Sequence, residues 1–526
     1  MKKATILSAA LSLCLSAASA QGIQLESNPE LVNKYMSTIT PNELKEHLTI
    51  IASDEYEGRE TGERGQKMAA DYIAKYFMSE GLVGPVKDNP NPYFQQFDLY
   101  SSKYTSFEIT SGGHKAELFE DIFPYGNFSL NKETDLIFIG FGDTSKDFDD
   151  YANADIKGKG VVFFQNSPEE YKGESGDKNG LRQKARMAAE KGAAFAIILA
   201  DTDEEFTTQT KRYASYLKKG KLSFEKPNSE QAASSFGVIL AKPSSFMAIM
   251  GKDQSKFQKT IQKNLKKGKA PAHESFKISI NAKYETRRVP TENVLGFMEG
   301  TDLKDEILVV TAHYDHVGII DGKIHNGADD DGSGTTGLLE VVNAFSQAKK
   351  EGNGPRRSIL FMTVTGEEKG LLGSEYYSSH PIFPMENTIA DLNIDMIGRG
   401  DAEHKDQPNF VYTIGSDMLS SDLHNIHLEV SKTFKPDLLI DYTYNDKDDP
   451  NRYYYRSDHY NFAKHNVPVI FYFNGTHEDY HQPTDTVDKI QFNEMANRAQ
   501  LVFATAWELA NREKAPVVDK KDESQK

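Results

Sequence analysis

Short apolar runs recur through the second half of the chain: "EILVVTA" (306–312), "SILFMTVT" (358–365), "DLNIDMI" (391–397) and "PVIFYFN" (468–474). Each is too short for a helix and too apolar to expose one face, which predicts strands buried on both sides. Between them "GTTGLLEVVNAFSQA" (334–348) carries apolar residues at helical spacing, and "KGLLGSEYYSSH" (369–380) predicts a second helix. Strands alternating with helices predict an α/β fold, a mostly parallel or mixed sheet flanked by helices. In such sheets ligands bind beyond the carboxyl ends of the strands.

Upstream, "TPNELKEHLTIIA" (40–52) predicts a helix with Thr40 as cap, Pro41 in the first turn and Glu43 closing a capping box. "GQKMAADYIAKYFMSEGL" (65–82) predicts another, ending at Gly81, with the Gly-rich loop "YEGRETGERG" between the two. From about 105 to 285 the texture changes. "DLIFIGFG", "GKGVVFFQ" and "FAIILAD" predict short strands around one Ala-rich helix, "LRQKARMAAEKGAA", with no concentration of His or acid. The Lys-rich run 255–269 reads as a solvated helix face.

With 526 residues the chain is expected to form two or three domains. A formal net charge of −17 argues against nucleic acid or an anionic membrane as partner. Residues 1–20 combine Lys2 and Lys3, an apolar stretch and the small-residue site Ala18-Ser19-Ala20, the pattern of a signal peptide for export to the periplasm or medium. A lipid anchor on Cys14 is the rival reading, but Leu13 is bulky where such signals carry a small residue. Cleavage after Ala20 would remove Cys14, the one cysteine, which excludes disulfides, a cysteine nucleophile and Cys-ligated zinc. Residues 513–526 are charged, lack an apolar face and read as a disordered tail.

Candidate chemistry follows the strands. The first runs into "HYDH" and then "HNGADDDGSG", the second ends in "GEE", the third holds Asp395 near its end, and the fourth leads to "GTHEDYHQPTDT". His and carboxylate without Cys or Met suit catalytic zinc, manganese or cobalt, with donors enough for two ions. Of the neighbours Glu367 and Glu368, one could bind metal while the other, turned away, takes a proton.

The motifs "AHYDH", "GADDDGSG", "TGEEKGLLGS", "NIDMIGR" and "DYHQPTDT", in that order, resemble the secreted zinc aminopeptidase family. That co-catalytic dizinc group includes bacterial leucine aminopeptidases, glutamate carboxypeptidases and, as an inactive relative, the transferrin receptor. The resemblance implies two zinc ions per chain and a peptide substrate. By motif, His313 and Asp395 would bind one zinc, Glu368 and His481 the other, and Asp330 would bridge them. Glu367 would be the general base, Asp315 would orient the His313 ring, and Tyr480 would stabilise the oxyanion. Asp329 and Asp331 compete with Asp330, and His477 and His459 with His481; His316 and His325 read as rim or structural residues. Asp458 and His459 are supporting or merely structural, and "NDKDDPNRYYYR" (445–456) is a solvated rim more than a calcium loop. Residues 105–285, through "FGDTSKDFDDYANADIKGKGVVFF" and "KARMAAEKGAAFAIIL", resemble an inserted β-rich α+β protease-associated domain. Residues 21–104 and 286–512 would then make up the peptidase domain. The expected activity is an aminopeptidase. Its rivals are a carboxypeptidase or glutaminyl cyclase of the same fold, or a non-catalytic receptor-like protein.

Overall fold

The computed structural model describes residues 23–144, 149–167, 180–226, 236–265 and 272–521. The expected signal peptide, residues 1–20, lies outside the described residues. The chain divides into two compact units, one built from residues up to Gln95 together with those from Glu292 onwards, the other from Gln96–Thr291.

In the first unit the apolar runs form strands of a seven-stranded sheet. We number them within this unit as β1 (Glu274–Met298, of which 294–298 pair here), β2 (Leu303–His313), β3 (Arg357–Val364), β4 (Thr388–Ile394), β5 (Phe410–Ile414), β6 (Leu439–Asp441) and β7 (Val469–Phe473). Their order is β6-β5-β7-β4-β2-β3-β1. The centre is parallel: β2 pairs with β3 and β4, and β4 with β7, whereas β5 and β1 run antiparallel to their inner neighbours. The four strands expected from the apolar runs are the four central parallel ones. β1, β5 and β6 are additional.

Parallel strands need crossover helices, and these cover both faces. One face packs under α1 (Pro29–Met36), α2 (Pro41–Ile51), α3 (Arg64–Ser79), α4 (Gly334–Lys350), α6 (Ser421–Phe434) and α8 (Phe492–Asn511). The other lies under α5 (Leu372–Ser379), α7 (His459–Ala463) and a group of tyrosines. Thr40 caps α2 by accepting from the Glu43 N–H, while its hydroxyl donates to the Glu43 carboxylate at 2.8 Å. Among the described residues no helix is long and apolar enough to cross a membrane. The part of the expected tail that is described is held in place. Asp519 accepts from the Ser421 N–H at the start of α6, and the Asp519 N–H reaches the Leu419 carbonyl. A carboxylate at a helix N-terminus is a favourable partner, so a charged composition there does not mean disorder.

The second unit is also built on paired strands. Its strands follow the order 274–282, Leu130–Phe138, Gly160–Phe164, Phe195–Leu199, Gly237–Ala241, Ile122–Tyr125, with the inner pairs parallel and both edges antiparallel. Separate apolar clusters cover its two faces.

The first unit buries a histidine with nothing to bond. His459 is fully buried and stacks on Phe471 with centroids 4.7 Å apart, and neither ring nitrogen has a hydrogen-bond partner. Burial pulls its pKa down to about 3. The unfolded chain therefore binds one more proton between about pH 6.5 and 3, and stability falls by about 1.4 kcal/mol per pH unit as pH drops through that window. His459→Phe is expected to leave the pH 8 melting temperature nearly unchanged and to flatten the acid limb by one proton, measured as melting temperature against pH. An unchanged slope would refute this account.

Candidate metal centre

The carboxyl ends of β2, β3, β4 and β7 deliver the donors to one place. His313 is the last residue of β2. Its Nδ1–H donates to the main-chain carbonyl of Asp315 at 3.1 Å, which leaves Nε2 as the free acceptor. That nitrogen lies 3.3 Å from Asp330 Oδ1 and 3.5 Å from Asp395 Oδ1. Asp395 follows β4 directly; its other oxygen takes the Ser457 hydroxyl at 2.6 Å. His313, Asp330 and Asp395 thus form one group of converging donors.

Asp330 also faces the other way. Its Oδ2 is 3.0 Å from His481 Nε2, which in turn is 3.1 Å from Glu368 Oε2. Of the three consecutive aspartates, Asp330 alone reaches histidines of both groups, and the peptide joining it to Asp331 is cis. Asp329 accepts from the Ser333 hydroxyl and the Gly398 N–H and faces His477. Asp331 takes the N–H groups of His313, Gly334 and Met396. Asp485 receives the N–H groups of Asp329 and Asp330 from below. Gly327 opens this loop at φ +58, where a Cβ would stand 2.3 Å from the Asp330 carbonyl, so only glycine fits. The fully buried Arg59, from the Gly-rich loop, donates to the carbonyls of Ile51, Tyr314, Asn326 and Gly327 and ties the loop to β2 and α2.

Glu367 and Glu368 diverge after β3. Glu368 joins His481, while Glu367 Oε2 is 3.9 Å from His313 Nε2 and lines a cavity with Asp395, Tyr453, Arg456, Phe471 and Tyr480. Burial pushes the Glu367 carboxyl well above the usual range, partly offset by His313. Asp315 departs from the expected role. The hydrogen bond that orients His313 comes from its main-chain carbonyl. Its carboxylate, 3.8 Å from the same nitrogen, accepts from the Glu367 N–H at 3.2 Å and the Thr61 hydroxyl at 2.7 Å. The reason is the turn after β2, which carries the side chain past the ring towards β3.

The donor set fits divalent ions. His481 Nε2, Asp330 Oδ2 and Glu368 Oε1 are buried without a hydrogen-bond partner despite their proximity. Burial disfavours a charged imidazole, yet Glu368 and Asp330 still push His481 up to about 11. The site calls for positive charge, and uncharged imidazole beside carboxylate is what zinc-like ions take.

Residues 293–506 match Peptidase family M28. Over that stretch, which lies within the first unit, the chain is similar to that family.

Among curated relatives, a probable leucine aminopeptidase of Arthroderma otae is 32% identical over 212 residues, 39% of this chain and 55% of the relative. Aminopeptidase YwaD of Bacillus subtilis is 25% identical over 329 residues, 60% of this chain and 67% of the relative. The chain thus spans about half the length of the leucine aminopeptidase. Of solved structures, an aminopeptidase from Aneurinibacillus sp. strain AM-1 aligns with a TM-score of 0.52 and 18% identity, over 94% of this chain and 99% of that one. BSAP, a zinc aminopeptidase from Bacillus subtilis, gives 0.51 and 18%, over 92% and 98%. At such identities these two establish the fold.

Within the first unit the rival residues sit outside the donor groups. His477 bridges Asp329 and Arg399, His459 is buried against Phe471, and His325 donates from Nδ1 to the His481 carbonyl. That last bond holds His481 in a left-handed conformation at φ +57. Asp458 accepts from the Ser374 hydroxyl, and burial raises it to about 7. Tyr480 stacks on His481 at 3.9 Å; burial, then Asp330 and Glu368, raise its pKa, so it stays a phenol. Of rim or structural, the two readings the sequence leaves for His316, the structure excludes the first. His316 is fully buried with Nδ1 2.8 Å from Glu368 Oε1 and 3.7 Å from Asp330 Oδ2, and is no rim residue. On an extended strand, residues three apart point to opposite faces. The chain leaves the strand at His313, and that parity ceases to hold.

Proposed function

We propose that the protein is a zinc-dependent aminopeptidase that removes N-terminal residues from peptides, holding two ions through His313, Asp395, Glu368, His481 and the shared Asp330. The observation that carries this reading is the pair of donor groups joined by one carboxylate, beside the glutamate that lines the cavity. The names of the relatives, leucine aminopeptidase and YwaD aminopeptidase, support it. Ions held there would polarise the scissile carbonyl and acidify a water. Glu367 accepts the water's proton and passes it to the leaving amine. A carboxyl raised by burial is suited to both halves of that transfer near neutral pH. Tyr480, kept protonated, can donate to oxygen as negative charge develops there. The aromatic walls, Tyr453, Phe471 and Phe473, suit an apolar side chain. The segment 1–20 supports export, and the motifs within 141–199 support a protease-associated domain in the second unit.

The test is metal analysis of the purified protein beside a panel of free and N-blocked aminoacyl substrates. Two zinc ions per chain and hydrolysis of free-amine substrates alone are expected. One zinc, or no cleavage of any free-amine substrate, would replace this reading with the cyclase or the carboxypeptidase.

A further inference from the structure

Four buried polar atoms from four side chains meet around the second donor group, each without a hydrogen-bond partner: His316 Nδ1, Asp330 Oδ2, Glu368 Oε1 and His481 Nε2. Within that set His316 Nδ1 is 2.8 Å from Glu368 Oε1 and 3.7 Å from Asp330 Oδ2, and His481 Nε2 is 3.0 Å from Asp330 Oδ2. The rings of His316 and His481 approach edge to face, with centroids 5.6 Å apart and planes at 75°. For bonds of about 2.0–2.1 Å, tetrahedral zinc sets its donors roughly 3.3 Å from one another, and these distances straddle that value. A hydrogen bond from His316 to Glu368 would also bring two atoms to 2.8 Å, but neither atom has hydrogen-bond geometry.

We infer that His316 is a fourth protein ligand of the second ion, which makes the two metal positions unequal. The inference rests on the reading that this cluster holds two ions, and deepens it. The group of His313, Asp330 and Asp395 supplies three donors and keeps an open position, the mark of a reacting site. The group of His316, Asp330, Glu368 and His481 supplies four and is closed, the mark of a structural one. The closed position should therefore fill first and empty last.

X-ray absorption on the metal-free protein reloaded with zinc counts the imidazoles directly. With one equivalent of zinc, two imidazoles on the ion are expected; with both positions filled, three for the two ions. One imidazole at the first equivalent and two at saturation would overturn the inference while leaving the proposed function intact. A protein that takes up no zinc would remove the proposed function itself. Competition with a chelating dye gives a second readout. His316→Ala is expected to weaken the tighter ion by more than the ~10–100-fold that follows loss of a merely supporting contact. His316→Asn, which can still donate to Glu368 but ligates poorly, should fail to restore it. Restoration by His316→Asn, or an unchanged tight ion in His316→Ala, would assign His316 a supporting hydrogen bond instead.

Discussion

Glu367→Gln is expected to lower kcat/KM by about two to four orders of magnitude, the range for loss of a positioned acid or base, with metal content unchanged. The substitution keeps the shape and removes only the proton-accepting oxygen. Retained metal follows from the geometry. The nearest donor nitrogen to Glu367 is His313 Nε2 at 3.9 Å, farther than the Asp330 and Asp395 oxygens on the same nitrogen. The main chain at Glu367 is set independently, by the turn at Gly366 (φ +73) and by the bond from its N–H to Asp315. Gln at this position should therefore stand where Glu stood. Steady-state kinetics beside metal analysis check both halves. Activity within tenfold of wild type would remove Glu367 from the chemistry, and loss of metal would make it a ligand.

Taking the metal away should have the second largest effect, on stability as well as rate. Asp330 serves both donor groups, so Asp330→Asn is expected to strip both ions and abolish activity. Chelation should reach the same end in the wild-type chain. An ion that binds only the folded state stabilises it by about 2.7 kcal/mol when free metal is at a hundred times its Kd. Without the ions, the carboxylates of Asp330, Glu367, Glu368 and Asp395 crowd around His313 and His481, and burial pushes the Glu367 carboxyl well above its usual range. Calorimetry with and without chelator measures the loss as a lower melting temperature. Unchanged melting after verified metal removal would limit the ions to catalysis.

Much of this site was legible because its donors follow apolar runs that could only be buried strands. Once β2, β3, β4 and β7 are parallel neighbours, His313, Glu368, Asp395 and His481 must share an edge. Less was legible where side-chain direction depends on a turn. The run of three aspartates shows nothing of which member faces the histidines; that is decided by Asp485 beneath the loop and Gly327 at its start. The Asp315 carboxylate departs for the same reason: alternation along an extended chain would set it beside the His313 ring, but the chain has already begun to turn, and that turn also carries His316 inward. The strand β5, five residues between loops, and the short edge strand β6 lack any amphipathic signal that would separate them from coil.

The carboxylate of Asp331 bonds to no histidine ring, yet it takes the N–H groups of His313, Gly334 and Met396. One of these is itself a donor residue, another follows the donor Asp395, and Asp331 follows Asp330. A single buried clamp therefore spaces every member of the first group through the backbone. An arriving ion finds its three donors already registered, and no segment has to order around it. Uptake at that position should then be limited by how fast the ion sheds water, a property of the metal more than of the protein.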